Sequence, residues 1–211
     1  MLLFPHRLWQ PAALFSATLL AAVLGFGLFF DHLSHRLAVP DTADFLPSVE
    51  DEDGVPSVSV ARQARWAVET RDHRGLPFLV IDKARARLFA FDGQGRLRAS
   101  TPVLLGSARS DRPVAPATPA GRFVAEPRSA RPPGSLVWFD GEAELLLHAP
   151  DFWLAPGRAL QRLASSEPDD KRISDGSLHV PPAFFQQYLR PLRSQRSVAY
   201  VLPEPDQGNA P

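Results

Sequence analysis

Lys171–Pro182, KRISDGSLHVPP, reads as a loop centred on Ser177. Two ionisable residues flank it at two positions' distance, Asp175 before and His179 after. Side chains at i and i±2 share a side only where the chain is extended, and their Cα atoms then lie about 6–7 Å apart. The spacing therefore predicts that Asp175, Ser177 and His179 do not form a short triad with one another. Gly176 directly before the serine has no Cβ, which lets a substrate carbonyl approach the backbone. Beyond the loop, a helix is expected over Pro182–Leu189, with a proline in its first turn and Pro191 ending it.

Upstream, short apolar runs alternate with turn residues. Phe78–Asp82 (FLVID), Arg87–Phe91 (RLFAF) and Leu97–Leu105 read as strands, with Asp92-Gly93-Gln94-Gly95 as the turn between the second and third. Gly121–Glu126, Val137–Phe139, Glu144–His148 and Ser197–Leu202 follow the same pattern. Short strands with Gly/Pro-rich loops predict a mainly β fold, a β-sandwich or distorted barrel with one or two short helices. The other helix is Val60–Thr70, amphipathic through Val60, Ala64, Ala67 and Val68, stopped by Gly75 and Pro77.

The N-terminal part differs in kind. Ala12–Phe30 is a charge-free apolar run, and as a helix it would reach about 28 Å, close to the hydrocarbon thickness of a bilayer. It is longer than the apolar core of a signal peptide, and no A-x-A site follows, so an uncleaved transmembrane anchor fits better than a cleaved leader or a buried helix. Arg7 and the α-amino group favour a cytoplasmic side for the tail of residues 1–11. Residues 31–59, rich in proline, serine and acidic side chains, read as a flexible linker. The globular domain is then 60–203, with a disordered tail at 204–211.

Composition excludes several classes of function. The 211 residues carry 23 Lys plus Arg and 23 Asp plus Glu, which removes the basic surface that nucleic-acid binding requires. No cysteine is present, so disulfides, thiolate catalysis and Cys-based metal sites are out.

Taken in order, Leu79–Asp92 (LVIDKARARLFAFD), Leu104–Asp111 (LLGSARSD), Thr118–Phe123 (TPAGRF), Leu145–Pro150 (LLLHAP), Arg172–Phe185 (RISDGSLHVPPAFF) and Val198–Glu204 (VAYVLPE) carry a further signal. The set resembles the L,D-transpeptidase catalytic domain, or YkuD domain, of bacterial cell-wall enzymes. The resemblance implies a peptidoglycan stem peptide as ligand. It also implies a single pass through the inner membrane, the C-terminal domain in the periplasm, and no cofactor. In that family a cysteine in an S-x-G-C loop attacks the stem-peptide carbonyl, a histidine at a strand end is the base, and backbone amides around the nucleophile hold the oxyanion. By resemblance His148 is the base, Ser174 opens the loop, and Gly176 precedes the nucleophile position, where Ser177 replaces cysteine. His179 stands in place of an asparagine or arginine, and Asp175 in place of a histidine or aromatic residue.

A serine hydroxyl needs an aligned base, an orienting partner for that base and a formed oxyanion hole, whereas a thiol is already partly ionised near neutrality. The substitutions therefore point to a domain that binds stem peptides with impaired catalysis. A working serine acyltransferase or hydrolase on Ser177 and His148 is the alternative, and a scaffold for an envelope protein partner is a third. Metal ligation by His148, His179 and Asp175 is possible by residue type, but no spacing demands it. Asp175, His179, Arg172 and Trp153 are candidate substrate contacts, with Arg172 also placed to brace the loop. Phe152 is a further candidate pocket residue, whereas Trp138 and Phe139 read as core, and Phe184, Phe185 and Tyr188 as one packed helix face. Arg109, Arg112 and Arg122 read as solvated loop residues or contacts to a ligand carboxylate, and His73 as an exposed turn residue.

Overall fold

In the computed structural model, residues 54–125, 135–149 and 156–205 are described. The transmembrane candidate, most of the linker, and Phe152 and Trp153 lie outside them; no helix among the described residues is long and apolar enough to cross a membrane.

The fold is mainly β. Among the described residues ten strands occur: β1 Phe78–Asp82, β2 Arg87–Phe91, β3 Leu97–Pro102, β4 Leu105–Gly106, β5 Gly121–Ala125, β6 Ser135–Phe139, β7 Glu144–His148, β8 Arg172–Ser174, β9 Leu178–His179 and β10 Ser197–Val201. Eight of them form one sheet in the order β3-β2-β1-β10-β5-β6-β7-β9, and β4 pairs with β8. The late strand β10 inserts in the middle, parallel to β1 and antiparallel to β5.

Every residue of β1, β2 and β10 is buried, because both faces of this part of the sheet are covered. Alternation assigns the faces. Leu79, Ile81, Leu88, Ala90, Ala199 and Val201 join the main core, with Phe123, Trp138, Leu145, Leu147 and Leu178 from the other strands. Phe184, Phe185, Leu189 and Leu192 close that core. Phe78, Val80, Phe89, Phe91, Val198 and Tyr200 face the other way, toward Val60, Ala64 and Ala67 of helix α1 (Val58–Glu69).

The sheet curls. Leu104, two residues after edge strand β3, exchanges two backbone hydrogen bonds with His179 in β9 at the opposite edge (2.8 and 3.2 Å). The two edges are thus joined, which gives a distorted barrel. The run Leu97–Leu105, expected as one strand, breaks at Val103 because the chain here leaves β2 to reach β8 and β9.

α1 starts two residues earlier than its apolar period suggests. Ser57 caps it by accepting from Val60 N (3.2 Å), and its hydroxyl donates to Asp82 Oδ2 (2.7 Å), tying the helix to the end of β1. The helix ends at Glu69, before Gly75, and a turn follows. His73 in that turn is buried, contrary to expectation, with Nδ1 2.8 Å from Ala67 O and Nε2 3.0 Å from Gly93 O.

A second helix, α2 (Pro156–Leu163), for which no helix was expected, packs Ala159 and Leu163 on Leu104. The expected helix Pro182–Leu189 is composite. A short α-helical turn, α3 (Pro182–Phe184), widens to a π-helix over Phe185–Leu189 and tightens to a 3₁₀ turn over Arg190–Ser194. Pro191 does not stop the path, since it sits in the first turn of the last segment, where its missing N–H costs least.

Candidate active site

The loop Asp175–Ser177 hangs between two strands fixed on both sides. β8 before it pairs in parallel with β4, and β9 after it pairs in parallel with β7 and bonds to Leu104. Gly176 adopts φ 117°, and a Cβ there would stand 2.7 Å from the Ala117 carbonyl oxygen. The glycine is required by the protein's own backbone, a stronger constraint than the approach of a substrate. Thr118 is the peg beneath it: its buried hydroxyl accepts from Gly106 N (2.8 Å) and donates to Gly176 O (3.0 Å).

His148 and His179 are register partners on β7 and β9, so their side chains leave the same face and their rings meet at 4.0 Å between centroids. His148 Nδ1–H donates to the Ala149 carbonyl (3.0 Å), which in the neutral ring leaves Nε2 as the basic nitrogen. His179 is buried, and its Nε2 lies 3.1 Å from Ser177 Oγ. On the other side of the serine, Ser177 Oγ donates to Asp175 Oδ1 at 2.7 Å. Asp175, Ser177, His179 and His148 therefore form one continuous chain of contacts, contrary to the expectation from spacing. The reason is the turn at Gly176: it folds Asp175 back on Ser177, while β9 keeps Ser177 and His179 extended and on one side.

Proton placement follows from the donor inventory. A hydroxyl has one hydrogen, and here the carboxylate takes it; His179 Nε2–H then donates to the Ser177 oxygen. The hydrogen bond from the Ser177 hydroxyl holds the Asp175 carboxyl below the usual carboxylate range, overcoming the opposing effect of burial, with the Ser177 amide and nearby His179 adding to it. Asp175 is a firm anion and a weak base.

The backbone amides are also occupied. Ser177 N donates to Asp175 Oδ1 (3.2 Å) and Gly176 N donates to Ser174 Oγ (3.2 Å). Ser174 in turn donates to the Ser177 carbonyl (2.6 Å), so the serine that opens the loop closes it on itself.

Behind the loop lies an ion network. Arg172 is paired bidentately with Glu204 (3.0 and 2.7 Å) and donates to Lys83 O (3.1 Å). Lys83, fully buried, bonds Asp111 Oδ1 (2.7 Å), Ser110 O and Thr118 O (both 3.0 Å) and lies 3.4 Å from Glu204. Arg109 pairs with Asp169 and lies 3.6 Å from Glu204. Arg122 is bound to Asp72 (2.6 Å), and Arg112 is exposed. Arg172 thus braces β8 from behind. Lys83, Thr118 and Glu204 lie inside the motifs quoted above but were not singled out as site residues. Nothing local marks a turn lysine, a motif threonine or a glutamate just past the expected domain end as buried partners of one network. Among the described residues no three His, Asp or Glu side chains are arranged to hold a metal ion. Trp153 lies outside the described residues.

No protein-family model matches the chain, and no curated protein matches it. Among solved structures it is similar to the NMR structure of the catalytic domain from E. faecium L,D-transpeptidase, at 12% identity over 60% of this chain and 96% of that one, with a TM-score of 0.37. A likeness at that level carries no functional weight by itself.

Proposed function

We propose that this chain is a divergent L,D-transpeptidase-like protein of the bacterial envelope that binds peptidoglycan stem peptides and is impaired in acyl transfer. The ordered motifs support the family reading. The apolar run Ala12–Phe30 supports an inner-membrane anchor with the domain in the periplasm, where an envelope protein partner could also meet it.

One observation carries the impairment: Asp175 Oδ1 accepts both the Ser177 hydroxyl (2.7 Å) and the Ser177 amide (3.2 Å). Acyl transfer needs the hydroxyl proton on an imidazole and the amide free to hold an oxyanion. Here a carboxylate holds both, and its charge repels a developing oxyanion. The acylation of Ser177 is therefore blocked at both ends in the resting site.

The second reading, a serine acyltransferase or hydrolase, is favoured by His179 Nε2 at 3.1 Å from Ser177 Oγ. It replaces His148 with His179 as the group that takes the proton. In it the hydroxyl must turn from Asp175 to His179, and His179 must carry its own hydrogen on Nδ1.

Intact-mass measurement after prolonged incubation with a carbapenem separates the two. The expected result is no acyl adduct, together with saturable binding of stem tetrapeptide that persists in Ser177→Ala. An adduct abolished by Ser177→Ala would establish the serine enzyme instead. Absence of stem-peptide binding would remove the ligand assignment.

A further inference from the structure

On the α1 side of the sheet an open cavity of about 760 Å³ lies between α1, the end of β10 and the start of β5. The volume falls in the range of small-ligand sites. Its α1 wall presents Ser59, Arg62, Gln63 and Trp66, spaced three and four residues apart and hence on one helix face. Trp66 is 44% exposed and leaves part of its ring open to this cavity. Its plane is fixed edge-on against Tyr200, with centroids 6.2 Å apart and an interplanar angle of 88°. Tyr200 is itself locked, its hydroxyl donating to Asp72 Oδ2 at 2.5 Å, and Arg122 Nε donates to the same oxygen at 2.6 Å. The aromatic wall is thus Trp66 packed edge-on against a hydrogen-bonded Tyr200.

The charges of the lining decide the ligand. Asp111 is neutralised by Lys83 and Arg122 by Asp72. Arg62 is exposed and has no hydrogen bond or ion pair among the described residues. The cavity thus offers an aromatic plate, an amide and a guanidinium each about one helical turn from it, and a hydroxyl a further turn away, the guanidinium having no ionic partner among the described residues.

We infer that this cavity binds an acidic saccharide: a pyranose ring stacked on Trp66, a ring hydroxyl on Gln63, and its carboxylate on the Arg62 guanidinium. A polyol explains the neutral hydrogen-bonding groups along this helix face, and a carboxylate explains a guanidinium unpaired among the described residues, which bonds it in charge-assisted, bidentate fashion. The site uses no residue of the Ser177 loop, so it is independent of the chemistry proposed there.

The test is titration of the full-length protein in detergent, by calorimetry, with two acidic sugars, glucuronic acid and N-acetylmuramic acid, and with their neutral counterparts glucose and N-acetylglucosamine. The indole N–H resonance of Trp66, assigned with Trp66→Phe, reports the location. Expected are saturable binding of at least one acidic sugar, a shift of that resonance, and about tenfold weaker binding in both Trp66→Ala and Arg62→Gln. Ser177→Ala leaves the affinity unchanged. Which acidic sugar binds tells a lactyl amino sugar from a uronic-acid polymer. Equal binding of neutral and acidic sugars, preference for an aromatic carboxylate such as indole acetate, unaltered affinity in both variants, or no binding of either acid at millimolar concentration each overturns the assignment. A sugar-free stem tetrapeptide titrated in parallel reads the Ser177 site separately.

Discussion

Two groups of ionisable side chains sit on either side of the Asp175–Ser177 loop, and they are wired differently. Behind it, Lys83, Arg109 and Arg172 meet Asp111, Asp169 and Glu204 in ion pairs that join β1, the loop ahead of Thr118, β8 and the chain beyond β10. In front, the Asp175 carboxylate is held by a hydroxyl and an amide of a residue two positions away. The brace satisfies its charges across long sequence separations and so fixes the shape. The loop satisfies its charge locally, with the very groups a nucleophile would need. The contrast teaches that the shape of a loop and the availability of its polar groups are separable: the brace fixes the first, while Asp175 occupies the second.

The sharpest way to break the comparison is to remove Asp175. Ser177→Cys alone supplies a better nucleophile but leaves its amide and hydrogen held by the carboxylate. Ser177→Cys combined with Asp175→Ala frees both, and should be acylated by a carbapenem at least about 100-fold faster than Ser177→Cys, the scale of one oxyanion-hole donor. The rate of adduct formation by intact mass is the measurement. Equal rates in the two variants would show that the block lies elsewhere, with His179, whose Nε2 is 3.1 Å from Ser177 Oγ, as the next group to replace.

The brace should respond in stability. Glu204→Gln takes the carboxylate from Arg172 and Lys83, whose side chains are 6% and 0% exposed. Leaving buried cations short of a partner costs about 3 kcal/mol, read as a lowered urea midpoint with unchanged m-value. A change below about 0.5 kcal/mol would place Glu204 among ordinary surface ion pairs, contrary to the burial seen.

How much of this was legible beforehand depended on how local each cause is. β1, β2, β7 and β10 were readable because apolar runs bounded by turn residues state a strand within five residues; β7 was expected and found as Glu144–His148. β8 and β9 were not, since strands of three and two residues have no period, and their pairing partners lie far away in sequence. α2 was missed because Ala159, Leu160 and Leu163 give too short a stripe among charged residues. His148 and Ser177 were singled out by motif, and Gly176 by residue type, though the group that excludes its Cβ is Ala117. The contact of Asp175 with Ser177 depends on a positive φ at Gly176, which residue spacing does not reveal. His73 was misjudged for a similar reason: one of the two carbonyls that bury it, Gly93 O, belongs to a distant turn.

The mildest contrast is between Asp175 and Asp72, both held below the usual carboxylate range, by different means. Burial of Asp72 would raise its pKa, but the Tyr200 hydroxyl and the Arg122 guanidinium together bring it down. For Asp175 the leading cause is itself the hydrogen bond from Ser177. A depressed folded-state pKa stabilises the fold above the unfolded value and loses that contribution as pH falls through the folded value. Wild-type thermal stability should therefore decline below about pH 3.8, the ordinary aspartate value. Asp72→Asn should lower it at neutral pH by about 1–2 kcal/mol, a charge-assisted bond discounted for partial exposure, and flatten the acid limb. Asp175→Asn should flatten it less, because Asp175 is exposed and contacts a single neighbouring residue in a loop that β8 and β9 hold independently. Thermal unfolding of the three proteins from pH 3 to pH 7 measures both limbs. A larger loss in Asp175→Asn than in Asp72→Asn would mean that the loop carboxylate supports the fold, and that its hold on Ser177 is a structural tie as well as a chemical one.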